Sequence, residues 1–328
     1  MSLEDMTHVM RQLPALTNDR VIIGTNSMDD AGVYRIRDDF ALICTVDAFA
    51  PIVDDPFIFG QIVAANSLSD IYAMGGKPVL VSPLIGFPEA VFNEETIAGM
   101  LKGGKEKTDE SGAVFLTEQI MYDREIKYGM SVCGTADPKN IITNAGAKAG
   151  DKLILTKPLG TSFLSLAVRS GKAPKKLLKE VIQSMILLNK EASLSMADAR
   201  AHACTDITGF GLIGHACEIA EQSRVSLLFY VNKIPVFPDV QNYAVEEYMD
   251  VGSINNKKYL SDNVVCRAAV AAPMMNLLFE TQTSGGLLIS IAPAAADTLL
   301  NKLKKKGSIN ASIIGEVIPK DDRMIYLT

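Results

Sequence analysis

Apolar residues along this chain recur with two periods, one of two residues and one helical. Gly32 to Ile36 and Phe40 to Val46 alternate between turn residues, which predicts a hairpin entered from Val21 to Gly24. The second strand is expected to end in Asp47, and a loop carrying Asp54 and Asp55 follows. A helix from about Pro56 to Met74 comes next, stopped by Gly75-Gly76. Ile62, Val63, Ala65, Leu68, Ile71 and Tyr72 make most of its surface apolar, so Asp70 needs a partner such as a metal ion or a hydrogen-bond donor. Asn66 lies four residues earlier on the same face.

The first residues, 4 to 20, read as a short helix and turn. After the Asp70 helix, Pro78 to Ile85 is a buried strand, and Asn93 with Glu94 and Glu95 opens a helix that runs to about Asp109, before Gly112. Ala113 to Gln119 and Lys127 to Gly134 are two more strands, so the first half is expected to be an α+β sandwich with one helical layer on a mixed sheet. Residues 135–151 are rich in turn formers and suggest a boundary, with domains over 1–145 and 146–328. Beyond it the pattern predicts a strand at Lys152 to Thr156 and a long amphipathic helix from Pro174 to Ala199. A strand near Ser226 to Val231 follows, then a closing strand pair, Gly286 to Ile291 and Ile313 to Val317, around a helix from Ala294 to Lys306.

Composition narrows the function classes. At 328 residues with 48% apolar and 21% charged side chains, the chain can bury two substantial cores. No run of about 18 uninterrupted apolar residues occurs, which disfavours a membrane span. The N-terminus lacks a basic region followed by an apolar core, which makes the cytoplasm the default location. Five dispersed cysteines without CxxC spacing disfavour a disulfide framework and a zinc site. A net charge of −6 without tryptophan gives no aromatic-studded basic surface for nucleic acid, so small-molecule chemistry is favoured.

The candidate chemistry is carboxylate-rich. Asp29 and Asp30 sit in a turn, Asp47 at a strand end, Asp70 on a helix and Asp206 before a glycine-rich turn. Each alone is better explained by turns and caps. Together they offer hard oxygen ligands of the kind magnesium takes alongside substrate phosphates. No GxxxxGK[ST] phosphate loop is present. Gly209 to Gly214 matches GxGxxG, yet AHACTD before it shows no apolar strand and the next strand ends in Asn232-Lys233 instead of an acidic residue, which disfavours a dinucleotide fold. Those glycines suit close approach of a helix N-terminus to a backbone or an anion, and Ser284-Gly285-Gly286 is a second close approach or a turn. His215 reads as a hydrogen-bonded structural histidine, and no Ser-His-Asp or Cys-His set can be assembled.

The segments SMDDAGVY, TVDAFAPIVDDPFIFGQIVAANSLSDIYAMGGKP, LTKPLGT, TDITGFGLIGHACEIA and QTSGGLLIS, in this order, resemble the selenophosphate synthetase (selenide, water dikinase) family of the aminoimidazole ribonucleotide synthetase-like superfamily. The likeness runs from about Val21 to the C-terminus. It implies a two-domain α/β fold of helix-covered mixed sheets, a homodimer built mainly from the N-terminal domains, and ATP held with Mg2+. The reaction it implies converts ATP, selenide and water to selenophosphate, AMP and phosphate. On matching positions it assigns Asp30, Asp70 and Asp206 to magnesium, and Ser27, Asp29, Asp47 and Asp70 to ATP.

The chain departs from that pattern twice. The family's N-terminal cysteine or selenocysteine and nearby lysine have no counterpart, since the first cysteine is Cys44 and the first lysine Lys77. A start placed too far downstream accounts for this, and the chain as given is then expected to be inactive. Thr117-Glu118-Gln119 also replaces a family segment that helps hold the nucleotide, which puts a glutamate where phosphates would be repelled. Another ATP-dependent small-molecule kinase of the superfamily, or a degenerate nucleotide-binding paralogue, are the alternatives.

Overall fold

The computed structural model describes residues 9, 12, 17–25, 27, 29–91 and 93–328. The helix and turn expected over 4–20 fall largely outside these residues. The first half builds one sheet from β1 (Val21–Ile23), β2 (Gly32–Arg37), β3 (Phe40–Phe49), β4 (Lys77–Phe87), β5 (Val114–Phe115), β6 (Gln119–Tyr122) and β7 (Lys127–Ala136). Their order is β1-β2-β3-β7-β4-β5, with β6 also on β4. The β4–β5 and β4–β6 pairs are parallel and the rest antiparallel. The expected hairpin is β2–β3. The single strand expected over Ala113 to Gln119 is instead two short edge strands, both on β4.

Two helices, α1 (Pro56–Ala73) and α2 (Glu94–Ser111), lie on one face of this sheet. Asp55 caps α1 by accepting from Ile58 N at 3.0 Å, and Pro56 fits the first turn, where no N–H is needed. Asn93 and the left-handed Gly112 delimit α2 as the sequence predicted. The helices touch backbone to backbone: a Cβ on Gly60 would sit 2.0 Å from Met100 O, and one on Gly103 would sit 1.9 Å from Phe57 O.

The second half forms a sheet in the order β11-β14-β10-β13-β8-β12-β9. Its strands are β8 (Lys152–Leu155), β9 (Ala203–Asp206), β10 (Ser226–Phe229), β11 (Val264–Cys266), β12 (Leu287–Ile291), β13 (Ser312–Ile318) and β14 (Ile325–Leu327). Successive residues serve different clusters: Leu153 and Leu155 join the main core, while Ile154 packs with Ile289, Met196 and Leu299. The helices are α3 (Thr161–Arg169), α4 (Lys176–Ile186), α5 (Lys190–Asp198), α6 (Gly211–Ser223), α7 (Val251–Leu260), α8 (Ala272–Phe279) and α9 (Pro293–Lys305).

The long helix expected from Pro174 to Ala199 is thus two helices. Leu187 turns extended between them, and its carbonyl accepts from buried Lys157 Nζ at 2.7 Å. Two residues on, Asn189 donates to Ser69 Oγ on α1 at 2.8 Å and to Gly285 O at 3.0 Å. The break exposes backbone and amide groups that a continuous helix would have kept to itself.

Helix α1 is buried without interruption from Phe59 to Ala73, because both halves of the chain cover it. Ser193 Oγ on α5 donates to Tyr72 O at 2.6 Å, and Lys190 Nζ reaches Glu110 O and Ser111 O at the end of α2, each at 3.1 Å. Among the described residues no helix is long and apolar enough to cross a membrane.

Candidate active site

The carboxylates singled out in the sequence gather where α1 meets the second half. Asp47 does not end its strand. It lies within β3, paired with Met130 of β7, because β3 continues to Phe49. Odd-numbered residues of β3 face the helices, so Thr45 Oγ1 donates to Asp70 Oδ2 at 2.5 Å and Asp47 Oδ2 accepts from Asn66 Nδ2 at 2.9 Å. Asn66 Oδ1 in turn accepts from Ser284 N at 2.8 Å. Both α1 side chains noted from sequence therefore have partners, and Ser284-Gly285-Gly286 is a close approach: a Cβ on Gly285 would lie 2.0 Å from Ile207 O.

Asp206 closes β9 and is 2% exposed. By sequence pattern alone, no apolar strand precedes the glycine turn. Ala203–Asp206 is one, buried throughout and short enough to escape a periodicity test. It is an edge strand antiparallel to β12, and β10 lies far across the sheet, so no βαβ unit surrounds the GxGxxG match. Gly211, with φ +69°, opens α6 against Glu280 O. Thr205 Oγ1 donates to Asp30 Oδ1 at 2.7 Å, which brings the turn at Asp29-Asp30 to the same place. Asp29 Oδ1 accepts from Asp30 N at 3.1 Å and Asn144 N at 3.4 Å. Ser27 is held locally, its hydroxyl donating to Gly24 O at 3.0 Å. Thr117, Glu118 and Gln119 lie exposed at the sheet edge.

These acids share one electrostatic field. Burial holds Asp70 well above the usual carboxylate range, reinforced by Asp47, Asp206 and Asp30. Burial, Asp206 and Asp29 do the same to Asp30. Burial raises Asp29 and Asp47 to about 6, with Asp206 adding to the shift of Asp47. Asp206 is raised by burial and pulled back by Ser69, His215 and Lys157. Asp30 Oδ2 and Asp206 Oδ2 are buried with no hydrogen-bond partner, a costly arrangement unless something cationic or donating faces them. Among the described residues no three His, Cys, Asp or Glu side chains are grouped so as to hold a metal ion by themselves. The donor set still fits a hard cation that keeps water and takes further oxygens from phosphates.

Sequence reasoning missed the residues that aim and balance these acids: Thr45, Thr205, Ser69 and Lys157. Lys157 is buried, donates to Leu187 O and to Ser284 O at 2.9 Å, and is lowered to about 7 chiefly by desolvation. A lysine directly after an apolar strand was the available signal. His215 has the expected bonds: Nε2 lies 3.2 Å from Thr208 N, and Nδ1 lies 3.0 Å from Glu218. Burial pushes its imidazole down, but Glu218 and Asp206 outweigh that and raise it.

Residues 28–136 match the N-terminal domain of the AIR synthase related proteins and residues 148–327 match their C-terminal domain. A selenide, water dikinase of Clostridioides difficile (strain 630) is 41% identical over 323 residues, 98% of this chain and 92% of that protein. The chain belongs to the selenide, water dikinase family. Selenide, water dikinase 2 of Peptoclostridium acidaminophilum is likewise 41% identical, over 99% of this chain and 93% of its own length. The family fold extends to more distant structures. A ThiL protein complexed with AMPPCP and TMP superposes with a TM-score of 0.70 at 17% identity, covering 100% of this chain and 95% of that one.

Proposed function

We propose that this chain performs the family reaction at the carboxylate cluster, converting ATP, selenide and water to selenophosphate, AMP and phosphate. The observation that carries the site is the pair of buried, unpartnered oxygens on Asp30 and Asp206, contributed by opposite halves of the chain and facing a shared field with Asp47 and Asp70. Asp30, Asp70 and Asp206 would hold Mg2+, while Ser27, Asp29, Asp47 and Asp70 would contact ATP. Magnesium supplies neutralisation of phosphate charge and a template for in-line transfer. The protein's part is positioning. Thr45, Asn66 and Thr205 fix the directions of Asp70, Asp47 and Asp30, and Lys157, Ser69 and His215 favour the charged form of Asp206.

The reading includes domains over 1–145 and 146–328, a cytoplasmic enzyme and a homodimer. The dimer is supported by the open face of the first sheet. There Val46 is 66% exposed, Leu80 is 37% exposed, and the neighbouring edge adds Val114 and Leu116.

The test is nucleotide titration with and without Mg2+. Tight ATP binding should require the metal, and Asp70→Asn should weaken it about tenfold or more by removing a charged ligand at constant size. Equal affinity in wild type and variant at limiting Mg2+ removes Asp70 from the site. Selenide-dependent AMP release by the chain, measured under the same conditions, tests the reaction itself. Mg2+-dependent nucleotide binding without selenide-dependent AMP release favours the degenerate paralogue.

A further inference from the structure

A cavity of about 230 Å³ lies along α3 and is lined by nothing that the carboxylate cluster uses. One stripe of α3, at Thr161, Ser162, Ser165, Leu166 and Arg169, forms one wall. Ile52, from the loop between β3 and α1, Asp250, Thr281 and Thr283 form the other. Thr283 immediately precedes Ser284, whose N–H bonds Asn66, so the cavity adjoins the carboxylate site through one short loop.

Its free polar groups are those of an oxyanion seat. Ser165 is 6% exposed, yet its Oγ has no hydrogen-bond partner. Arg169 is exposed and makes no ion pair among the described residues. The acids nearby are already engaged. Asp250 accepts from Ser253 N and Ser253 Oγ, both at 2.9 Å, and from Thr281 Oγ1 at 2.7 Å. Glu280 accepts from Phe163 N at 2.6 Å and Gln282 Nε2 at 2.7 Å, and burial raises it to about 8, so it holds its proton at neutral pH. Gln282 Oε1 takes the N–H groups of Gly160 and Thr161, both at 3.2 Å. The first N–H groups of α3 are therefore satisfied internally, and what remains unspent is a guanidinium and hydroxyl donors, the set that binds phosphate oxygens.

We propose that this cavity binds orthophosphate, with Arg169, Ser165 and Thr283 donating to its oxygens. Its use as the seat of the phosphate product rests on the dikinase reading above, whereas binding of the oxyanion does not. Calorimetric titration of the chain with inorganic phosphate, at fixed ionic strength without nucleotide or Mg2+, tests it. Arg169→Gln should weaken binding about tenfold and Ser165→Ala several-fold. Ser165→Ala should not lower the melting temperature, because that hydroxyl bonds nothing in the protein. Asp70→Asn should bind phosphate as wild type does. Equal affinity in wild type and Arg169→Gln, or loss of binding in Asp70→Asn, overturns the proposal. Failure of the dikinase reading would show in the nucleotide titration and leave these phosphate affinities in place.

Discussion

Asn66 donates to Asp47 Oδ2 at 2.9 Å and accepts from Ser284 N at 2.8 Å, so one amide on α1 fixes a carboxylate of β3 against the loop that enters β12. Asn66→Ala leaves both a buried N–H and a carboxylate oxygen unpaired, and should cost about 2 to 4 kcal/mol in urea unfolding at neutral pH. It should also move the titration of Asp47 above about 6, because the lost bond is the contact that lowers it. An unchanged Asp47 titration by carboxyl NMR would show that the amide does not govern its charge.

The same cluster makes the metal-free protein sensitive to pH. Asp29 and Asp47 are raised to about 6, and Asp30, Asp70 and Asp206 are raised as well, so between about pH 4 and 6 the folded chain binds more protons than the unfolded one. Stability must then fall as pH rises through that window, being greatest where the acids are protonated in both states. Lys157, lowered to about 7, acts in the opposite sense only above that pH. Thermal melts without divalent metal should therefore show a melting temperature that declines from pH 4.5 to 6.5. Millimolar Mg2+ should flatten the decline by offsetting the repulsion. A flat profile without metal would mean that folding does not raise these acids.

Legibility of the sequence followed the length of each signal. Helices α1 and α2 were readable because Asp55, Pro56, Asn93, Gly75 and Gly112 punctuate 18-residue patterns. Strand β9, four residues long, and the edge strands β5 and β6 were not, since their existence depends on partners distant in sequence. The break at Leu187 was invisible for the same reason: the group that takes up its freed carbonyl is Lys157, 30 residues earlier. Asp70 stood out as an acid on an apolar helix, and Asp47 and Asp206 only as part of a set, at a strand end and before a glycine turn; nothing local reveals that Thr45 and Thr205 aim Asp70 and Asp30.

Helix α1 can approach α2 only because Gly60 and Gly103 face the partner's backbone. A methyl group at Gly103 would meet Phe57 O at 1.9 Å and Gln61 N at 3.0 Å, neither of which a rotamer change can move. Gly103→Ala should destabilise the fold by about 1 to 3 kcal/mol through overpacking. It should also weaken Mg2+-dependent nucleotide binding, since the displaced helix carries Asn66 and Asp70. Gly112→Ala, whose Cβ meets nothing within 4 Å but whose φ is +86°, tests backbone strain without that displacement. It should lower the melting temperature and spare nucleotide affinity.

Val46 separates the dimer reading from a monomeric one. It lies between Thr45 and Asp47 on β3 but points to the opposite face, 66% exposed, so the isolated chain gains almost nothing from its side chain. Within a homodimer built on that face the same residue would be enclosed, and a lysine there would carry an unpaired charge into an apolar contact. Val46→Lys should therefore leave the unfolding of a monomer unchanged but convert a dimer of about 71 kDa, twice the 35.4 kDa chain, to monomer in light scattering at micromolar concentration. A wild-type monomer under those conditions rejects the dimer. A wild-type dimer that persists in Val46→Lys moves the interface away from this face of the sheet.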